Sequence, residues 1–520
     1  ELFSTLIGAL IDLPADGKLS LDAQYSRNIA HYRGFAGVDK TRWQRLVDQG
    51  LYNPLRDTQA FGPPQAFYDQ ALLYFGQRNQ FAKLGDYHVL DSSIRATNQD
   101  LQLPTGISTA VIGFDYRLTQ LEDYTQRITY ADGSLATPTV LWDGRTLERL
   151  SVFGELQAPL LPTNKLPAWI ETIETDIAVR YIMADTSRET NFAPTIGLKI
   201  DFTGGLSLRG SASFSNRFPT SAMSRRVAAP SNGGPGVNYT TVYDPLRDQS
   251  YAVETYEDLN PDIVPEGALT QSVGLLFQRG DIHRFRVSLD FVDTRKENEL
   301  LFLVPQTILN LETLWPDRVS RVPLAPGDPH SVGHVTSVLT GLTNISSRDS
   351  QNWNTSLDYS WIDCFGGRFD AYARLVLFQK YERSLFPVSP IVDQLEFPDG
   401  TTSGLLKYRS NFGTSWTGPR YGFGFDGHYY HSRILPIPEW PSQNSDRIKR
   451  YWQFDIFGQA DLSRWIPWFK EHQALTAQLR INNIIDSVFP KYANESSGAG
   501  VQAYGDWRGR TYSLSITAKF

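Results

Sequence analysis

Apolar and polar residues alternate with a period of two in segment after segment of this chain, and that periodicity constrains the fold more than any single residue does. The stretch QNWNTSLDYSW (351–361) sets the pattern. Trp353, Thr355, Leu357, Tyr359 and Trp361 fall on one parity; Asn352, Asn354, Ser356, Asp358 and Ser360 fall on the other. Successive side chains of a strand point to opposite faces, so this pattern specifies a ribbon with one greasy and one polar side. Comparable segments run at roughly 3–12, 18–30, 86–97, 106–120, 147–158, 172–186, 191–202, 206–218, 266–280, 283–296, 340–362, 368–382, 404–417, 419–433, 449–462, 471–486 and 510–520, about seventeen strands. In the second half Phe285, Val287, Leu289 and Phe291 oppose Arg286, Ser288 and Asp290. Trp452, Phe454 and Ile456 likewise oppose Gln453, Asp455 and Gln459.

Two environments impose such alternation: a soluble sheet packed on a protein core, or a barrel with lipid outside and a wet lumen inside. At 520 residues the chain exceeds the usual size of one soluble core. Aromatic residues make up 13% of it, yet the mean hydropathy is -0.33. A chain half of whose strand positions are polar has that profile. No apolar run reaches the ~18 residues of a transmembrane helix, which leaves open strands that cross in about 9–11 residues. Short links (PADG 14–17, TGG 203–205, RGD 279–281, FGG 365–367, TGP 417–419) alternate with long ones at roughly 31–85, 121–146, 219–265, 297–339, 383–403, 434–448 and 487–509. Gly-rich pairs are expected to supply the positive φ of the short turns. Short periplasmic turns and long extracellular loops characterise an outer-membrane barrel. A β-propeller would instead repeat at about 40–45 residues, and no such repeat is present. The expected fold is an all-β transmembrane antiparallel β-barrel, residues 1–520 forming one barrel domain in a bacterial outer membrane. Trp353 and Tyr359 are expected to face lipid, with Asn354 and Asp358 in the lumen.

Four stretches resemble TonB-dependent outer-membrane receptors. LRGSASFSNRFPTSAM (208–223) carries an Arg-Phe-Pro-Thr/Ser element at Arg217, Phe218, Pro219, Thr220 and Ser221. NPDIVPEGALTQSVGL (260–275) carries Asn260, Pro261, Pro265 and Glu266. RINNIIDSVFPKY (480–492) is similar to an Asn-Leu-Phe-Asp element, with Asn483 and Asp486 matching and Ile484 and Ile485 in between. RGRTYSLSITAKF (508–520) resembles the terminal strand. These motifs cover residues 150–520; residues 1–149 carry none. The resemblance implies a barrel of about 22 strands around a plug, and hence further strands and a plug outside this chain or on a separate polypeptide. It also implies that Tyr512, Leu514, Ile516 and Phe520 form a signal read by the barrel assembly machinery, the alternative being interfacial residues and nothing more.

Cys364 is the single cysteine, so no intrachain disulfide or cysteine metal cluster is possible; net charge is -7 without a basic run, which argues against nucleic acid. His428 and His431 of HYYH differ in parity and would point to opposite faces. GSASF (210–214) lacks the second glycine of a nucleophile elbow. The chain is therefore expected to be no enzyme and to hold no metal or cofactor. Trp43, Tyr239, Tyr243, Trp315 and Trp440 fall in long loops and are the candidate ligand-stacking residues; packing of their own loops is the alternative. TRWQRLVDQGL (41–51) and PQTILNLETLW (305–315) are expected to be short loop helices. Glu254, Glu257 and Asp258 read as solvated surface charge, the alternative being a Ca²⁺ site at the rim. The leading functional expectation, implied by the resemblance, is an active importer that binds a scarce ligand at its extracellular loops. Its partners would be lipid, the plug and a periplasmic TonB-type energy-coupling protein. The alternatives are a docking barrel bound to a surface lipoprotein or other envelope subunits, and a passive porin.

Overall fold

The computed structural model describes residues 2–35, 40–53, 62–69, 79–129, 139–142, 144–185, 191–219, 229–230, 238–258, 263–386, 389–398, 405–463, 474–493, 500–502 and 508–519. Seventeen long strands follow one another as an up-and-down meander. They are β1 (Leu2–Leu13), β2 (Gly17–Phe35), β3 (Asn79–Leu103), β4 (Gly106–Leu121), β5 (Arg145–Pro159), β6 (Ile170–Ala184), β7 (Asn191–Phe202), β8 (Leu206–Arg217) and β9 (Glu266–Arg279), then β10 (His283–Leu303), β11 (Val335–Cys364), β12 (Gly367–Ser384), β13 (Tyr408–Thr417), β14 (Tyr421–Tyr430), β15 (Tyr451–Asp461), β16 (Ala474–Asn482) and β17 (Thr511–Lys519). Each pairs antiparallel with the next. Among the described residues no pairing joins β1 to β17.

Register turns the alternation into two surfaces. Phe285, Val287, Leu289 and Phe291 of β10 lie opposite Tyr359, Leu357, Thr355 and Trp353 of β11, while Arg286, Ser288 and Asp290 oppose Asp358, Ser356 and Asn354. Ring contacts of 4.7 Å (Phe285–Tyr359) and 4.9 Å (Phe291–Trp353) tie the apolar face together. Val273, Ile177 and Ile112 each leave about half their surface exposed or more, at 52%, 48% and 64%. Water would not tolerate so continuous an apolar face. A bilayer requires one.

Every predicted strand has a counterpart among the described elements, those expected at 404–417, 419–433 and 471–486 being shorter and residues 186, 404, 471–473 and 520 lying outside the described residues; three further differences surround them. First, strands run past the membrane: β11 has 30 residues, about 100 Å of chain at ~3.3 Å per residue, against ~30 Å of hydrocarbon. Second, the rims are less cleanly divided than expected. Residues 160–169 are a longer connection on the short-turn rim, where β15 and β16 are likewise separated by more residues than a tight turn holds; β6 and β7, at the other rim, are separated by few. Third, in PADG the positive φ belongs to Ala15 (57°) and Asp16 (59°), and Gly17 opens β2. Both central residues of a primed hairpin turn need φ > 0; the Asn98 side-chain amide donates to the Ala15 carbonyl at 2.9 Å and braces that geometry.

Buried apolar cores lie in the long connections. The described parts of 219–265 and 297–339, expected as loops, fold together: strand Asn238–Asp244 pairs with Gln249–Asp258, which runs parallel to Ser337–Gly341 of β11. Val242, Val253, Leu303, Ile308, Leu309, Val335 and Val338 form the core of this extracellular cap. The expected loop helices are present at Lys40–Asp48 and Pro305–Asn310.

Candidate functional site: inner wall and extracellular cap

The inner face carries charges that the meander brings into contact across strands. Arg117 meets Asp91 at 3.4 Å, Arg180 meets Asp115 at 3.0 Å, and Arg209 grips both oxygens of Asp290 at 2.9 and 2.7 Å. Arg374 pairs with Asp358. Further round, Asp426 and Asp455 sit directly opposite each other. Arg480 donates to both, at 3.0 and 3.5 Å, and the Tyr372 hydroxyl donates to Asp426 at 2.8 Å. Like charges facing across a strand pair are destabilising; the shared guanidinium offsets this. Arg117 and Arg149 are another like-charged opposing pair, and Arg180 lies 4.5 Å over the Phe153 ring. These arginines line adjoining depressions of about 240 and 610 Å³. Asp22, Asp91 and Asp115 share the smaller depression and Glu155 the larger one, so this part of the wall is of mixed charge: its guanidinium forks can bind carboxylate or phosphate in bidentate fashion and its carboxylates can accept from donor groups.

Above the wall, the cap is locked by ions. Arg321 donates to Asp244 at 2.8 and 3.0 Å, to Glu312 at 2.8 and 2.7 Å and to the Gly333 carbonyl at 2.8 Å. Asp244 is fully buried and accepts two further bonds, from the Tyr251 hydroxyl at 2.5 Å and the Leu246 amide at 3.1 Å. Burial alone would raise the Asp244 pKa, but the bonds from Arg321, Tyr251 and Leu246 outweigh it and hold the carboxyl below its ordinary range. Burial and then the bond to Asp244 push the Tyr251 hydroxyl up.

The residues that carry the family resemblance have local structural roles. Arg217 closes β8 on Glu266 at 3.3 Å, and Glu266 also takes Lys296 at 2.9 Å and the Leu300 amide at 2.8 Å. Asn483, with φ 52°, exchanges 2.9 and 2.8 Å hydrogen bonds with the Ser487 backbone. Asp486 accepts the Arg510 amide at 3.1 Å. Thr220, Ser221, Asn260 and Pro261 lie outside the described residues.

The candidate ligand aromatics do not converge. Tyr243 is an exposed cap residue whose hydroxyl donates to Asp248 at 2.7 Å. Trp315 packs on the cap core and edge-on to Phe386, 5.5 Å between centroids. Trp440, more than one third exposed, belongs to a separate loop and donates to the Leu435 carbonyl at 2.8 Å. The side chains of Trp43 and Tyr239 are outside the described residues. Tyr512, Leu514 and Ile516 stand on the outward side of β17, opposite Ile481, Leu479 and Ala477; Phe520 is not among the described residues. Sequence reasoning missed the arginine-lined wall and Arg321 with its partners. Charges confined to one parity signalled a polar lumen, but only register shows which strands oppose.

A two-faced antiparallel wall of this length, polar within and apolar without, defines a transmembrane β-barrel protein of the outer membrane. The family model for the TonB dependent receptor-like beta-barrel matches residues 10–484, and the chain belongs to that family, whose members are receptors and not enzymes. Similar solved structures include the siderophore receptor PirA from Acinetobacter baumannii (12% identity, TM-score 0.59, 99% of this chain and 62% of that one). A mutant ferric enterobactin receptor, PfeA, from Pseudomonas aeruginosa is similar at 13% identity and TM-score 0.60, over 100% of this chain and 62% of that one. The ferripyoverdine receptor of the outer membrane of Pseudomonas aeruginosa is similar at 11% identity and TM-score 0.52, over 99% and 56%. At such identities the likeness is one of fold, and the chain spans about 62% of the length of the first two receptors. No curated protein is matched.

Proposed function

We propose that this protein is an outer-membrane import receptor that captures a scarce ligand at its extracellular face and passes it along the inner wall with energy from a periplasmic TonB-type partner. The observation that carries this reading is the combination, in one member of this receptor family, of an ordered extracellular cap with an inner wall lined by arginines. Residues 1–520 act as a single barrel domain, with a plug filling the lumen. The ligand class is an iron chelate: the structural neighbours are receptors for siderophores, and the mixed arginine and aspartate lining of the wall suits a ligand that carries both anionic oxygens and donor groups. Exposed loop aromatics such as Tyr243 and Trp440 provide the first contact, and Tyr512, Leu514, Ile516 and Phe520 direct assembly.

Uptake of radiolabelled ferric siderophores by cells with and without the gene tests the proposal. Uptake should require the gene and collapse when the coupling protein is deleted or the proton gradient is discharged. Energy-independent uptake, with ligand-independent conductance in a planar bilayer, would identify a porin instead. No uptake, with stable copurification of another envelope subunit, would identify a docking barrel.

A further inference from the structure

On the outward face of β2 to β4, the apolar band ends in a compact polar cluster. Tyr25, Arg27 and Ile29 lie opposite Leu90, His88 and Asp86, and His88, Leu90 and Ile94 lie opposite Gln120, Leu118 and Phe114. Asp86, His88 and Arg27 therefore continue the lipid-facing side of their strands, one or two side chains beyond Leu90 and Leu118 toward the long-loop rim. Glu122 follows β4 and its amide donates to the Asp86 carbonyl at 2.9 Å, which fixes it beside them. The geometry points to a divalent transition-metal site, of the zinc class, formed by Asp86, His88 and Glu122.

Donor atoms of the three side chains lie within 4.8 Å of one another. His88 Nε2 is 3.6 Å from Asp86 Oδ1 and 3.7 Å from Glu122 Oε1. Hydrogen bonds from a ring nitrogen to a carboxylate run at about 2.7–3.2 Å, so at these distances His88 Nε2 does not close on either carboxylate through a proton. Tetrahedral zinc, with bonds of about 2.0–2.2 Å to nitrogen and oxygen, places its ligand atoms ~3.3–3.5 Å apart, close to the two spacings between His88 and the carboxylates. The imidazole is also oriented for ligation, because its Nδ1 is hydrogen-bonded to the Tyr25 hydroxyl at 2.7 Å, which leaves Nε2 turned toward the two carboxylates. Outer hydrogen-bond partners of this kind hold metal-ligating histidines in place. Arg27 donates to Asp86 Oδ1 at 2.9 Å and Oδ2 at 2.6 Å. This bidentate contact orients the Asp86 carboxylate, whose oxygens have about four lone-pair sites between them. Asp86 is 2% exposed and Glu122 41%, so the anchoring ligand is shielded and one side of the site stays open to solvent.

Titration of the detergent-solubilised protein with zinc chloride, followed by calorimetry, tests the assignment, with cobalt(II) as an optical probe. Wild-type protein should show one saturable zinc site and visible cobalt bands of a low-coordinate N/O centre. Both should vanish in His88→Ala and persist in His428→Ala, and Glu122→Gln should weaken zinc binding by more than about tenfold. Should His88→Ala fail to fold, zinc protection of His88 from diethyl pyrocarbonate in the unmutated protein, read by peptide mass, gives the same answer. Absence of a saturable site, equal binding by His88→Ala, or unprotected His88 at saturating zinc would overturn the assignment and leave an ion-pair cluster only.

Discussion

Single residues in this protein act mainly by neutralising one another, and the cost of removing one depends on what it leaves behind. Arg321→Leu would strand Asp244, a buried carboxylate with no exposure. Breaking a buried pair in this way costs about 3–5 kcal/mol. The expected outcome is loss of hydrogen-exchange protection in 238–258 and 335–345 with the wall strands unchanged. The same carboxylate sets a pH response. Its pKa in the folded cap lies below the ordinary value, so its contribution is complete above the ordinary carboxylate range, near ~pH 4, and is lost as pH falls through the lower folded value. Pulsed exchange should therefore find the cap equally protected at pH 7 and 5 and loosened only under about pH 4. On the inner wall, Arg480→Leu leaves Asp426 and Asp455 facing each other, and a lower thermal midpoint than wild type is expected by circular dichroism. None of these partnerships could be read from the sequence, because Asp244 and Arg321 are separated by 77 residues and Asp426 and Arg480 by 54.

At the scale of elements, the strands were legible and their neighbours were not. Period two identified every wall strand because each has two different solvents, one per face. Connections have no such constraint. The cap strands Asn238–Asp244 and Gln249–Asp258 went unrecognised because hydrophobic side chains serve a local core there, and the parallel partner of the second lies in β11. Face assignment makes a direct prediction. Leu289 stands outward on β10 opposite Thr355, and Ser288 inward opposite Ser356. Leu289→Arg should destabilise the folded barrel by about 2–4 kcal/mol, whereas Ser288→Arg points to water and should cost far less; urea-dependent folding into lipid vesicles compares the two.

For the whole molecule, the governing fact is that the broad apolar surface faces outward. Trp353 and Trp452 belong to that surface, so brominated lipids should quench tryptophan emission of the reconstituted protein strongly, and a soluble quencher should reach these residues poorly. The reverse result would mean the greasy face is covered by protein. Sequence by itself determined the strand count, the identity of each face and the family motifs, since all three are local: a two-residue period, a turn, a short string such as Asn483 to Asp486. Tertiary structure alone decided that Arg117 opposes Arg149, that Arg321 binds two carboxylates, and that Asp86, His88 and Glu122 meet. Those juxtapositions depend on register between strands far apart in the chain, and a one-residue slip would send every side chain to the other face.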